Sequence, residues 1–181
     1  MLQEIADILR AQLRPPRLKR IAVFKNIEAN GSAHSAGDII NETDTDGAAT
    51  PWILKNAARI NGGSGYITKA QVVIEPESQT FRTALQIYNR YPTCEMDDNA
   101  AAASPNAADM PFFEDEILVP ALHSRGDSSY SVATPGTGGN LPLAFTCAPG
   151  SRDLYIIPIA VEATTFTAGE LMYIIFEIDQ Y

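Results

Sequence analysis

The chain has 181 residues, 45% of them hydrophobic and 19% charged, with a formal charge of -9. That length is enough for one core burying roughly 70% of the unfolded surface, and the composition is too apolar for a disordered chain. No apolar run approaches the ~20 residues of a membrane-spanning helix, and the first residues lack the basic start and apolar stretch of a signal peptide.

One domain, made and kept in a cytoplasm unless an assembly carries it out, is therefore expected. Two cysteines, Cys94 and Cys147, are too few for the disulfide framework of a small secreted fold and read as free thiols. A bridge between them requires neighbouring strands, which spacing alone does not fix.

The charge is unevenly spread. Residues 1–25 carry six basic groups against two acidic ones, a balance of +4, while the remaining residues hold seven basic and twenty acidic groups, a balance of -13. An acidic body repels nucleic acid and anionic membranes, so neither is an expected partner. A basic arm seeks acidic surfaces, including the body of another copy.

In chain order, Leu2, Ile5, Leu9 and Leu13 recur at helical spacing, which predicts an amphipathic helix ended by Pro15 and Pro16. A helix this short is marginal alone in water and must pack on something. It either covers one end of its own domain or docks on a partner. With Arg10, Arg14, Arg17, Lys19 and Arg20, the apolar stripe forms the candidate protein-binding set. The division expected is a helical arm over 1–20 and a β-domain over 21–181.

Strand candidates follow at Lys19 to Lys25, Ile67 to Glu75 and Phe81 to Asn89, the last two read as half-buried. Further candidates are Glu116 to Leu122, Ser128 to Ala133, Leu141 to Cys147, Leu154 to Glu162 and Leu171 to Asp179, each bounded by turn residues. In the last, Met172, Ile174, Phe176 and Ile178 share one face. Asn30 to Ser35 reads as a turn, and Asp97 to Asp109 has the small, polar composition of a surface loop. Seven or eight strands on irregular turns imply a mostly-β, two-layer β-sandwich with jelly-roll or other Greek-key connections, without internal repeats.

Catalytic signals are sparse. His34 and His123 sit beside turns or strand ends with no nucleophile motif nearby, so no enzyme activity is expected. No Cys or His pair has zinc-ligand spacing. Glu42, Asp44 and Asp46 alternate as in a calcium loop, but Ile53 falls where the bidentate Glu belongs, leaving a solvated acidic loop. Neither metal nor cofactor is expected. Arg125-Gly126-Asp127 fits a plain turn. The glycine-rich stretches at 61–65 and 136–139 lack the Lys and Ser/Thr of a phosphate loop, and Trp52 reads as packing.

Several stretches, taken in order, resemble a family of small β-domain structural proteins of tailed bacteriophages. They are Ser35 to Ile40 (SAGDII), Ile53 to Ile67 (ILKNAARINGGSGYI), Asp97 to Ala100 and Asn106 to Asp109. Leu141 to Phe145 (LPLAF), Leu154 to Ile157 (LYII) and Ala168 to Leu171 (AGEL) continue the series. The resemblance spans roughly residues 35–179 and leaves the N-terminal segment outside it.

The resemblance implies a virion component assembled in the host cytoplasm, a capsid decoration or cement protein whose partner is the major capsid protein or another virion protein. It adds a homotrimer to the self-association suggested by charge, and it brings no catalytic motif. The alternatives are a tail, adaptor or fibre-associated protein, or a carbohydrate-binding β-sandwich using Tyr88, Tyr91 or Tyr130.

Overall fold

The computed structural model describes residues 17–27, 33–102, 105–137, 140–167 and 169–181. Among these the chain is mostly β. The strands are β1 (Arg17–Ile27), β2 (Ala33–His34), β3 (Trp52–Leu54), β4 (Ser64–Ile74), β5 (Thr83–Tyr88) and β6 (Phe113–Val119). They continue with β7 (His123–Arg125), β8 (Ser128–Ala133), β9 (Leu143–Thr146), β10 (Leu154–Ala160), β11 (Thr164–Thr165) and β12 (Glu170–Gln180). A 3-10 turn, Met110–Phe112, precedes β6.

Six strands form one antiparallel sheet in the order β1-β12-β4-β8-β7, with β9 pairing the first part of β4 and β8 the last. Four form a second, in the order β3-β10-β5-β6, and β2 and β11 make a short ribbon. The chain passes back and forth between the two large sheets, and their inner faces share one apolar core.

Alternation in the sequence explains that core. Met172, Ile174, Phe176 and Ile178 on β12 are fully buried, as are Ile67, Val72 and Ile74 on β4 beside it. Burying each such side chain is worth about 1.5–3 kcal/mol before ordering costs. From the second sheet, Trp52, Leu54, Leu85, Ile87, Leu154 and Ile156 close the layer.

Three expectations are corrected. First, β1 begins at Arg17, so Arg17, Lys19 and Arg20 belong to the sheet and not to a helical arm; eleven consecutive residues pair with β12. Pro15 and Pro16 cannot continue a helix, and the alternating residues that follow them pair as a strand. The rest of the arm (Leu2, Ile5, Leu9, Arg10, Leu13 and Arg14) lies outside the described residues.

Second, β5 is buried on both faces, not half-buried. It runs between β10 and β6, and its outer side is covered by loops that bring Ile39 and Cys94 onto Ala84 and Tyr88, beside Ile157 and Ile159 of β10.

Third, the stretch from Asp97 to Asp109 is no solvated loop at its carboxylates. The Asp97 carboxylate accepts the main-chain N–H of Gly47 at 2.7 Å and of Ala49 at 3.0 Å. Asp98 accepts that of Asn41 at 2.7 Å, and Asp109 those of Thr93 and Cys94 at 2.9 Å. All three are buried. A buried carboxylate is tolerated where hydrogen-bond donors replace its water. These three tie down the loops that cover β5.

Candidate protein interface

β1 is the last strand of its sheet, paired with β12 alone. Its far edge is open among the described strands, and an open edge is a template for another chain. Ile21 and Ile27 point into the core, so Leu18, Arg20, Ala22, Phe24 and Asn26 occupy the outer face. Leu18 and Phe24 are each 64% exposed.

The register carries this apolar character across the sheet. Phe24 pairs with Tyr173, Tyr173 with Val73, Val73 with Tyr130, and Tyr130 with His123. Ring centroids lie 5.6 Å apart for Phe24 and Tyr173 and 4.3 Å apart for His123 and Tyr130. The adjacent row is Ala22, Ile175, Gln71 and Val132. The row beyond that is charged: Arg20 sits opposite Glu177, which accepts a 3.0 Å ion pair from Lys69. A half-exposed, mainly apolar band that ends in the largely exposed Phe24 and is bordered by charges has the composition of a protein-binding surface.

Between the edges of β1 and β3 runs a groove of about 480 Å³ lined by Ile21, Val23, Lys25, Trp52, Ile53 and Lys55 among others. Lys25 closes one end. Its ammonium sits 5.5 Å from the Trp52 ring centroid, pairs with Glu42 and donates to Asn41 Oδ1 at 2.8 Å. Burial pushes the Lys25 ammonium below its ordinary range despite Glu42. Burial pushes the Glu42 carboxyl up, yet hydrogen bonds from Lys25 and Thr50 outweigh it and hold the carboxyl below its ordinary value. Glu42 is also held by Thr50, accepting its N–H at 3.0 Å and its Oγ1 hydroxyl at 2.6 Å.

At the other end of β1, Arg17, Lys19, Arg59 and Arg152 surround a polar recess of about 310 Å³ floored by Asn56 and Gln180. Lys19 Nζ donates to the Asn56 carbonyl at 2.7 Å, and Gln180 Nε2 donates to the Asn56 and Ala57 carbonyls at 2.8 Å. Burial, then the charges of Arg152 and Arg17, hold the Lys19 ammonium below its ordinary value. Asp153 supplies opposing charge but is engaged by Asn56 N at 2.7 Å.

Of the sequence-assigned binding residues, Arg17 and Lys19 come together in this recess, while Arg20 stands on the outer sheet face. Arg59 and Arg152 were missed: each is alone in a loop, and only the topology brings those loops to the start of β1. The outer apolar row was also missed, although KRIAVFK and LMYIIFEI carry apolar residues on both strand faces.

The remaining candidates resolve locally. His34 is buried, with Nε2 3.1 Å from Asp98 Oδ1 and its ring edge-on to Phe166 at 4.9 Å. Cys94 and Cys147 are buried and form no disulfide. Trp52 is core, and Arg125-Gly126-Asp127 forms the β7–β8 turn, with Gly126 at φ 65°. Glu42 serves Lys25, while Asp46, Glu95 and Asp97 bring carboxylate oxygens within 4.8 Å of one another. Tyr88 is fully buried and leaves the sugar-platform set; Tyr91 is 46% exposed and contacts Tyr155 at 5.7 Å.

No protein-family model matches the chain, and neither does any curated protein. Among solved structures it is similar to a chain of the cyanophage Pam1 capsid asymmetric unit at 13% identity and TM-score 0.34, covering 94% of this chain and 96% of that one. It is also similar to a chain of sacbrood virus of honeybee at 11% identity and TM-score 0.31, covering 94% of this chain and 76% of that one.

Proposed function

We propose that this chain is a non-enzymatic structural protein of a bacteriophage virion. In this reading it is a homotrimeric decoration or cement protein that binds the head shell through protein contacts. The observation that carries the reading is the outward-facing row Phe24, Tyr173, Val73 and Tyr130, half-exposed apart from the largely exposed Phe24, laid across an open-edged sheet. It offers a partner a flat apolar surface, and nothing about it suits a reaction.

The strand order supports the same reading. Taking β7 to β9 as one position, β1-β12-β4-β8 packs on β3-β10-β5-β6, the interleaving of a jelly roll, an architecture used in viral capsids and in lectins. Fold alone does not choose between those uses. Many weak copies on a repeating shell gain avidity from geometry, which suits a small binding module. His34, buried against Asp98, is poorly placed to serve a substrate, which supports a non-catalytic role.

Counting copies per particle by quantitative mass spectrometry tests this proposal. Decoration requires numbers comparable to the shell subunit, whereas a few copies per particle favour a tail or adaptor position. The sugar-binding reading retains Tyr91, which contacts Tyr155, and Tyr130 on the outer sheet face, and glycan binding lost in Tyr91→Ala or Tyr130→Ala would favour it.

A further inference from the structure

We propose that the basic recess at the start of β1 is the seat for carboxylates of a second copy, so that copies meet head to tail. The inference deepens the trimer reading above and rests on it.

Four cations converge on the recess in a chain whose net charge is -9. Arg152 and Arg17 stand close enough to Lys19 to repel its ammonium, with Asp153 opposing them in part, so an incoming carboxylate meets a recess that stays net positive. The recess is polar, floored by Gln180 and the Asn56 main chain, which fits a charged group better than an apolar one.

Among the described residues, Asp153 lies beside the recess and is engaged by Asn56 N, while the exposed acidic loops of the same copy stand away from it. They are built at the other end of β1, where Lys25 holds Asn41 and Glu42, and Asn41 Nδ2 donates to the Met96 carbonyl at 2.7 Å. Lys19 and Lys25 are six strand residues apart, about 20 Å. Each copy is thus basic at one end and acidic at the other, where Asp46 and Glu95 stand exposed beside Asp97. Charge complementarity therefore selects a second copy, with Asp46 and Glu95 as the groups that reach Arg17, Lys19 and Arg152. Such a contact joins two different patches and closes into a ring when its rotation permits.

The test is sedimentation of full-length chains at low salt, with thermal unfolding as the check on folding. Wild type associates. Arg152→Glu and Asp46→Lys each weaken association by about tenfold or more, because each places like charges across the contact. An equimolar mixture of the two variants regains pairwise association, although a closed three-membered ring of the two would keep one mismatched contact. The recess changed by Arg152→Glu then accepts the end changed by Asp46→Lys, and the two unchanged patches still match.

Regain in the mixture also shows that both variants are folded. A monomeric wild type, single variants that associate as wild type does, or a mixture that stays dissociated would each overturn the proposal. Carboxylates supplied by Glu4 and Asp7 of the same chain, or a divalent cation taken up by the acidic end, would appear as single variants with unchanged association. Shell binding is measured separately: its loss with association intact counts against the head-shell reading alone.

Discussion

Phe24 of β1 and Tyr173 of β12 are cross-strand partners whose rings lie 5.6 Å apart on the outside of the six-stranded sheet. Such a pair contributes about 0.5–1.5 kcal/mol beyond its buried area when shielded, and less where one ring is largely in water. Phe24→Ala should therefore cost under about 1 kcal/mol in urea unfolding. The same change should weaken binding to a shell by about tenfold or more if Phe24 anchors the contact. Equal losses in the two measurements would make Phe24 a structural residue.

Gly65 of β4 is a position of close approach. A Cβ there would lie 2.5 Å from the Asp179 carbonyl oxygen and 2.8 Å from Phe145 Cζ, next to the irregularity between Glu177 and Ile178. Gly65→Ala should destabilise the fold by about 1–3 kcal/mol, read from the urea midpoint. A neutral effect would show that β12 and Phe145 shift freely at this point.

The Lys25 and Glu42 pair gives a signed pH dependence. The folded Glu42 carboxyl lies below its ordinary value of 4.5, so its contribution is complete above that value and disappears as pH falls through the folded pKa. Glu42→Gln should lower stability near pH 7 and flatten the acid limb below pH 4.5. It should also leave Lys25 buried with one fewer acceptor. An acid limb that overlays wild type would remove the pair from the account of acid stability.

Both thiols should resist modification in the native protein. Burial, with Asp153 nearby, pushes the Cys147 thiol up to about 11, which leaves roughly one part in a thousand as thiolate at pH 8. Cys94 is buried against the loops that cover β5. Labelling should be slow natively and reach both thiols in denaturant. Rapid native labelling would show that these loops open.

Strands with one wet face were legible from sequence. Ser128 to Ala133 and the buried set on β12 follow from alternation alone, because water on one side makes period two visible. β5 was misjudged because its second face is covered by loops whose anchors, Asp97, Asp98 and Asp109, look solvated by composition. Their role depends on main-chain donors far away in the chain. Similarly, Arg17 and Lys19 stand out as part of a basic run, but Arg59 and Arg152 join them only through pairing that no local pattern encodes.

Attachment through the outer sheet face is tested most directly by co-sedimenting the purified protein with phage head shells that lack it. Wild type should bind to saturation at a copy number comparable to the shell subunit. The Phe24→Asp, Tyr173→Asp variant should keep its β-rich circular dichroism and yet fail to bind, since two charges then stand in the middle of the apolar row. Wild-type saturation by that folded variant, or no binding by wild type, would contradict this assignment of the interface.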